Sequence, residues 1–225
     1  RDVVKKNNLN SAYIRPMCFY GSEGMGLRAD NLKVHVMIAA WEWGSYLGDD
    51  NMKNGIRIRK SSYIRHHAHP DLSGAKMNGN YINSIMALKE AQSHGFDEAL
   101  MLDVEGSVSE GSGENIFVIK DEVLYTPHLS SALPGITRDT IFTLAKSLGH
   151  KVVEKKISCE DIYQADEAFF TGTAAEVTPI RDLDGNQIGI GSRGPITEKL
   201  QSLYFDCVHG RNDEFLHWIE NGRCS

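Results

Sequence analysis

The chain has 225 residues, of which 41% are hydrophobic and 24% are charged, proportions typical of a folded domain rather than a disordered or fibrous chain. Its formal net charge of −6, with dispersed basic residues, argues against nucleic-acid binding. No apolar run of about 18 residues and no signal peptide is present, and the four scattered cysteines form no disulfide framework, so we expect a cytoplasmic protein without a membrane segment.

The first part of the chain predicts a helix end followed by two adjacent strands. "RDVVKKNNLN" is typical of the last turns of a helix, and since nothing precedes it, we expect the chain to begin inside a domain. The apolar runs "AYIRPMCFYG" and "LKVHVMIAAWEWGSYLG" predict the strands. "GDDNMKNG", which concentrates turn-forming residues, predicts a boundary between a domain of residues 1–48 and one of residues 49–225.

Strands and helices alternate through the second part. "IRIRKSSYIR" predicts a strand, "YINSIMALKEAQSHG" a helix closed by Gly95, "EALMLD" a buried strand, and "VSEGSGENIFVIKDEVLYTP" a strand, a turn and a strand. Thr137 is expected to cap the helix in "RDTIFTLAKSLG". "KVVEKKIS" predicts a strand, "CEDIYQAD" a short helix, Asp184-Gly185 a hairpin turn, and "PITEKLQSLYFDCVHG" the last helix. The predicted fold class is α/β.

Three short segments contain residues suited to chemistry. Lys76 lies among Gly74, Ala75 and Gly79, and a desolvated lysine is a nucleophile for carbonyl groups, although an ordinary exposed loop lysine also fits this pattern. Glu110 lies in "SEGSGEN", where a carboxylate suits a pyridine nitrogen and a plain hairpin turn fits as well. "LPGITRD" and "TGTAAE" suit anions through exposed N–H groups, although Thr137 and Thr173 also fit simple caps.

These segments, in their order and spacing, resemble the branched-chain aminotransferases among the fold-type-IV pyridoxal-phosphate enzymes. The resemblance runs from the first residue to about position 210. It rests on "NNLNSAYIRP", "AAWEWGSYLG", "K-x-x-x-N-Y", "SEGSGENIF", "SALPGITRD", "ADEAFFTGTAAEVTP" and "GPIT". It implies that residues 1–48 are the C-terminal part of a small α/β domain and that residues 49–225 form a large pseudo-barrel domain that binds the cofactor, pyridoxal 5′-phosphate. A longer N-terminal part, present in the family, has no counterpart here.

The resemblance also implies roles for individual residues. Lys76 looks like the lysine that holds the cofactor covalently and moves the substrate's α-proton, Tyr81 like the phenol that bonds the ring oxygen, and Glu110 like the partner of the ring nitrogen. The resemblance assigns phosphate binding to Ile136, Thr137 and Thr173, and it assigns binding of the substrate's α-carboxylate to Thr173 and Ala174. It assigns binding of the substrate's side chain to Arg15, Trp43 and Tyr46.

The implied reaction is transamination of leucine, isoleucine and valine with 2-oxoglutarate, giving 2-oxo acids and L-glutamate, in a homodimer or an assembly of dimers. The small-molecule substrates are the only partners implied. Two alternatives stay open: another fold-type-IV transaminase, acting on D-amino acids or amines, and an inactive truncated fragment that serves as a binding module.

"RHHAHPD" raises the separate question of a metal site. His66, His67 and His69 are metal-ligand types, but no carboxylate or cysteine stands at a helical metal spacing, and the resembled family needs no metal. We therefore expect a solvated loop and no bound metal.

Overall fold

The computed structural model describes residues 1–44, 47–48, 50–65 and 75–219. The chain divides into two compact units, and the described residues up to 44 belong to the first, whereas those from 47 onward belong to the second. Within these described residues, no helix is long and apolar enough to cross a membrane.

The first unit is a short helix followed by a two-stranded antiparallel sheet. Helix α1 is Asp2–Lys6, strand β1 is Tyr13–Tyr20 and strand β2 is Val34–Trp41. The register places Tyr13 opposite Trp41 and Tyr20 opposite Val34. The helix end and the two paired strands are those that the sequence predicts.

The second unit is built on a nine-stranded mixed sheet. Its strands are β3 (Ile56–Lys60), β4 (Glu98–Leu102), β5 (Val108–Gly111), β6 (Asn115–Lys120), β7 (Val123–Thr126), β8 (Val152–Glu154), β9 (Glu167–Gly172), β10 (Glu176–Leu183) and β11 (Asn186–Gln187). The order is β5-β4-β3-β10-β9-β6-β7-β8, with β11 paired to β10. Parallel pairs join β3 to β4, β3 to β10 and β7 to β8, and the other pairs are antiparallel.

Five α-helices accompany this sheet in the described chain. They are α2 (Asn51–Asn54), α3 (Tyr81–Ser93), α4 (Ile136–Ser147), α5 (Cys159–Tyr163) and α6 (Pro195–Val208), and 3₁₀ turns lie at Asn78–Asn80 and Asp213–Trp218. Helix α3 buries Ser84, Ala87 and Ala91, a spacing that lies on one helical face. Ala87 and Ala91 pack on Ala99 and Met101 of β4, and these small side chains let the helix approach the sheet closely.

Both faces of the sheet are buried, because its central strands are apolar at consecutive positions. On β6, Ile116 and Val118 belong to one core cluster, whereas Phe117 and Ile119 belong to another. On β9, Phe170 belongs to the first of these clusters and Phe169 to the second. Successive strand residues point to opposite faces, so such runs need cover on both sides. The mixed α/β class predicted from the sequence is confirmed.

Three predictions about elements need correction. Strand β3 ends at Lys60 instead of continuing through "SSYIR", and its neighbour Ser61 bonds through its hydroxyl to Glu90 of α3. The stretch "VSEGSGENIFVIKDEVLYTP" forms three strands, because Gly111–Glu114 turns the chain before β6 begins. Thr137 does not cap α4: the N-cap is Gly135, and Thr137 is the second helical residue. The hairpin at Asp184-Gly185 and the helix beginning at Pro195 are as predicted.

Candidate active site

Glu110 is a buried carboxylate at the centre of the candidate site. It lies on β5 and is 4% exposed. Its Oε1 accepts from Arg65 Nε at 2.7 Å, and its Oε2 accepts from the Leu133 N–H at 2.9 Å and from Asn115 Nδ2 at 3.3 Å. Burial raises the pKa of Glu110, while Arg65, the Leu133 N–H and Lys76 oppose that rise. The carboxylate is thus held by three donors that fix its orientation.

Arg65 and Asn115 are the residues that hold Glu110, and neither has a role in the sequence-based prediction. Arg65 also donates through an Nη to Ser84 Oγ on α3 at 3.1 Å, so it joins the helix to the carboxylate. Asn115 Nδ2 donates to the Leu133 carbonyl at 2.8 Å in addition to Glu110. The only sequence signal for Asn115 is its presence in "SEGSGENIF", and Arg65 lies beside the histidine run on which the metal question was focused.

Lys76 and Tyr81 line the same cleft as Glu110. The cleft is also lined by Arg65, Met77, Asn80, Ser84, Asn115 and Leu133. Lys76 has φ +47°, a left-handed backbone conformation that is uncommon outside glycine and is enriched at functional sites. Tyr81 is the first residue of α3, so the helix fixes the position of its backbone and Cβ. The structure therefore brings together the three residues that the sequence singles out around the cofactor ring.

Two further buried carboxyl groups lie near Glu110: Glu114, which also lines the cleft, and its neighbour Glu98. Burial raises the pKa of Glu98 to about 7, and burial with the neighbouring Glu98 raises the pKa of Glu114 well above its usual value. Glu98 Oε2 is buried without a hydrogen-bond partner. Burial disfavours the anionic forms of Glu98 and Glu114. Of the three carboxyl groups, Glu110 is the one paired with an arginine.

A second cavity, of about 560 Å³, lies at the start of α4. Ile136, Thr137 and Thr173 line it together with Tyr204. The first N–H groups of a helix have no intrahelical partner and favour an anion. Leu133 lines the first cleft and Ile136 begins α4, so three residues, spanning at most about 11 Å, connect the two. The cleft that contains Glu110 and the start of α4, which suits an anion, are thus close neighbours.

The turn "GTAA" between β9 and β10 lies against Glu114 and the loop after β5. A Cβ on Gly172 would be 3.6 Å from the Gly113 carbonyl and 3.7 Å from Glu114 Cγ. Thr173 is exposed and Ala174 is half-buried, so the turn is open to a ligand. The close approach of Gly172 to the loop after β5 accounts for the position of this turn beside the cleft.

The predicted side-chain-binding residues belong to the first unit. Arg15 packs its guanidinium over Tyr13 at 5.3 Å and over Trp41 at 5.6 Å. The ring of Trp43 meets that of Tyr13 edge-on at 4.5 Å. The sequence-based prediction missed Tyr13 and Trp41 as members of this aromatic cluster. Tyr46, the third predicted residue, lies outside the described residues.

The histidine run of the metal question also lies outside the described residues. His66, His67 and His69 therefore have no structural account here. Among the residues that the structure describes, no group of three histidine, cysteine or acidic side chains is arranged to hold a metal ion.

The donor set of the cleft fits pyridoxal phosphate. An ionised carboxylate has about four acceptor positions, and three donors occupy Glu110, which leaves about one for a protonated ring nitrogen. A primary amine, Lys76, and a phenol, Tyr81, line the same cleft, and the start of α4 offers unpaired N–H groups for a phosphate. These groups match the amine-reactive, basic and anionic parts of that cofactor.

Comparisons with known proteins identify the family of the chain. The family model for amino-transferase class IV matches residues 1–183. A branched-chain-amino-acid aminotransferase of Pseudomonas aeruginosa is 62% identical over 218 residues, which are 97% of this chain and 71% of the relative.

Solved structures of the same family have the same fold. The crystal structure of the branched-chain amino acid aminotransferase of Escherichia coli matches with a TM-score of 0.93 and 46% identity, covering 98% of this chain and 73% of that one. The branched-chain amino acid aminotransferase of Thermobaculum terrenum, solved in its PLP form, matches with a TM-score of 0.89 and 33% identity, covering 97% of this chain and 71% of that one.

Proposed function

The chain belongs to the class IV aminotransferases, and we propose that Lys76, Tyr81 and Glu110 are its cofactor-binding residues. The activity is pyridoxal-phosphate-dependent transamination of branched-chain amino acids. The observation that carries the residue assignment is the cleft in which Lys76, Tyr81 and the buried, arginine-paired Glu110 meet. In the proposed reaction, leucine, isoleucine or valine donates its amino group and 2-oxoglutarate accepts it.

Glu110 holds a proton on the ring nitrogen of the cofactor. Its ionised form is supported by the ion pair with Arg65 and by the Leu133 N–H. When bound, pyridoxal phosphate supplies an electron-withdrawing ring that stabilises negative charge at the substrate's α-carbon, and a protonated ring nitrogen strengthens this effect. Arg65 and Asn115 serve this step by fixing the carboxylate in one orientation.

Lys76 is the residue that holds the cofactor and moves the proton. Its Nζ would be free to act once the amino group of the substrate has taken its place on the cofactor. It would then take the α-proton of the amino acid and deliver a proton to the cofactor carbon that receives the amino group, as a general base and then a general acid. The left-handed backbone at Lys76 supports this role, since the surrounding structure maintains a conformation that is unfavourable for a lysine. Tyr81 donates its phenol proton to the ring oxygen.

The phosphate of the cofactor is bound by Ile136, Thr137 and Thr173. The free N–H groups at the start of α4 and the threonine side chains that line the same cavity support this assignment. Thr173 and Ala174 also offer N–H groups to the substrate's α-carboxylate.

The substrate side chain is received by Arg15, Trp43 and Tyr46. Apolar aromatic rings suit an aliphatic side chain, and a guanidinium suits the distal carboxylate of glutamate. The aromatic cluster in which Arg15 and Trp43 lie supports this pairing of functions. Arg15 therefore binds the distal carboxylate of glutamate, and the aromatic rings bind the side chain of leucine.

The experiment that tests the proposal is absorption spectroscopy of the purified protein with added pyridoxal phosphate. We expect a visible band that L-leucine converts to that of the amine form of the cofactor, and no such band in Lys76→Ala, which has no amine at this position. Turnover by Lys76→Ala near that of the wild type would refute the lysine assignment. D-alanine and a simple amine, offered as donors, should be poor substrates, and faster conversion with either would identify a different transaminase.

Assembly and location are also part of the proposal. On the outer face of α3, the apolar residues Ile82, Ile85 and Met86 are 70%, 51% and 42% exposed, a helical stripe that suits contact with another copy of the chain. This stripe supports a homodimer or an assembly of dimers. Scattered cysteines support a reducing, cytoplasmic location. Light scattering of the purified protein tests the first statement, and a mass near that of one chain would refute it.

A further inference from the structure

Ser84 is a buried serine of α3 that lines the cleft and has no task in the proposed reaction. It is 5% exposed and shares a helical face with Ala87 and Ala91, which pack on β4. Alanine is the better helix former, and it has no hydroxyl that would need a partner when buried. Since alanine meets the needs of packing at the next two positions of this face, packing does not explain the hydroxyl of Ser84.

The hydroxyl oxygen of Ser84 is a hydrogen-bond acceptor for Arg65. Arg65 Nη1 lies 3.1 Å from Ser84 Oγ, and because a guanidinium has donors and no acceptor, the serine must accept. A serine inside a helix commonly bonds the backbone of its own helix. Ser84 bonds a side chain of another segment, so it ties α3 to the chain that follows β3.

This bond determines the orientation of the Arg65 guanidinium. Nε of the same group donates to Glu110 Oε1 at 2.7 Å. The N–H groups of a guanidinium form a rigid planar fork, so one bond leaves the plane free to turn about that bond, and a second bond through another nitrogen fixes it. The backbone N–H of Arg65 donates to the Leu102 carbonyl at 2.7 Å, but this contact fixes only the start of a long side chain.

The helix that carries Ser84 also carries Tyr81. Residues three apart are neighbours on a helix surface, about 4.5 Å apart along the axis. Tyr81 and Ser84 both line the cleft. A continuous path of covalent and hydrogen bonds therefore runs from Tyr81 through Ser84 and Arg65 to Glu110. Its two ends are the residues to which contacts with the ring oxygen and the ring nitrogen of the cofactor are assigned.

We propose that Ser84 is a positioning residue, which accepts from Arg65 and so holds the Arg65–Glu110 ion pair in place relative to α3. It sets the spacing between the ring-nitrogen contact of Glu110 and the ring-oxygen contact of Tyr81. The inference rests on the proposed roles of Glu110 and Tyr81. Because Ser84 acts through Arg65 and Glu110, its loss should be felt at the ring nitrogen and not at the rest of the cofactor.

The test compares the affinity of the apo-protein for pyridoxal phosphate with its affinity for the deaza analogue, in which a C–H group replaces the ring nitrogen. Both ligands carry the same aldehyde, ring oxygen and phosphate, so the ratio of the two affinities reports the ring-nitrogen contact. We expect Ser84→Ala to lower this ratio roughly fivefold, the equivalent of one hydrogen bond, with the analogue bound as by the wild type. In a Glu110→Gln background, Ser84→Ala should not change the ratio further.

Ser61→Ala is the matched control. Ser61 is also buried, and its hydroxyl donates to Glu90 Oε2 at 2.6 Å, so it too ties the chain after β3 to α3. Glu90 lies six residues beyond Ser84, about 9 Å further along the helix axis. Ser61→Ala should therefore leave the ratio of affinities unchanged, and a fall equal to that of Ser84→Ala would mean that any loosening of α3 suffices, which would overturn the inference.

Ser84→Thr provides a rescue that keeps the hydroxyl. Its added methyl group can weaken the binding of both ligands through packing, but the ratio of affinities should return to that of the wild type. A ratio that stays at the Ser84→Ala value would show that the hydroxyl is not the cause.

The results also separate this inference from the proposed function. A lower ratio in Glu110→Gln with an unchanged ratio in Ser84→Ala would overturn the inference and keep Glu110 as the partner of the ring nitrogen. Equal losses of both ligands in Ser84→Ala would mean that Ser84 acts through packing, and would overturn it too. An unchanged ratio in Glu110→Gln would refute the proposed role of Glu110 itself.

Discussion

Replacing Glu98 by glutamine should make the protein more stable at alkaline pH. Glu98 is fully buried on β4, and its Oε2 has no hydrogen-bond partner. Burial raises its pKa from 4.5 to about 7, with Asp97 adding to the rise and donors at Ala99 and Ser112 opposing it. Glutamine keeps the shape of the protonated carboxyl group and removes the charge that forms at higher pH.

The sign of the effect follows from the two pKa values. Below pH 4.5 both the folded and the unfolded states hold the proton, so the native protein has the full benefit of a neutral Glu98. Between pH 4.5 and about 7 the unfolded state loses its proton first, and stability falls as pH rises. Above pH 7 the loss approaches about 3 kcal/mol, since one pKa unit corresponds to about 1.4 kcal/mol.

The assay is urea unfolding of the apo-protein at several pH values from 5 to 8, followed by circular dichroism. The free energy of unfolding of Glu98→Gln should be near that of the wild type at pH 5 and should exceed it progressively toward pH 8. Glu160→Gln, at an exposed position on α5, is the matched control and should run parallel to the wild type. Parallel curves for Glu98→Gln would refute the assignment of a raised pKa to Glu98.

Two further predictions concern the residues that hold Glu110. Arg65→Met should lower the free energy of unfolding by about 3 kcal/mol or more, because it leaves a buried carboxylate unpaired, and adding Glu110→Gln should recover much of the loss in the same urea assay. Lack of recovery would contradict the ion pair as the cause. Gly135→Ala would place a Cβ 2.1 Å from Asn115 Oδ1, so we expect a loss of about 1–3 kcal/mol and weaker cofactor binding. Gly113→Ala, whose Cβ has no neighbour within 4 Å, is the control for stability, and an equal loss there would refute the steric explanation.

The elements that the sequence predicts well are those with a strong local signal. The last helix begins at Pro195, as its proline predicts, and the turn at Asp184-Gly185 joins β10 to β11. The predictions failed where tertiary contacts decide an element's end. Strand β3 stops at Lys60, where the chain turns and Ser61 bonds Glu90. The N-cap of α4 is Gly135 rather than Thr137, and Gly135 packs tightly against the Asn115 side chain.

The class of the chain and the residue types of the cleft follow from the amino-acid sequence alone. The neighbouring sequence is enough to identify Lys76, Tyr81 and Glu110, because glycine-rich loops and helix starts are encoded by residues that are adjacent in the chain. The side chains that hold Glu110 in place are visible only in the folded structure. Asn115 reaches Glu110 across the short turn after β5. Arg65 reaches it because its N–H bonds Leu102 at the end of β4, which pairs with β5, and such pairings between distant segments depend on register and burial, which one-dimensional order does not specify.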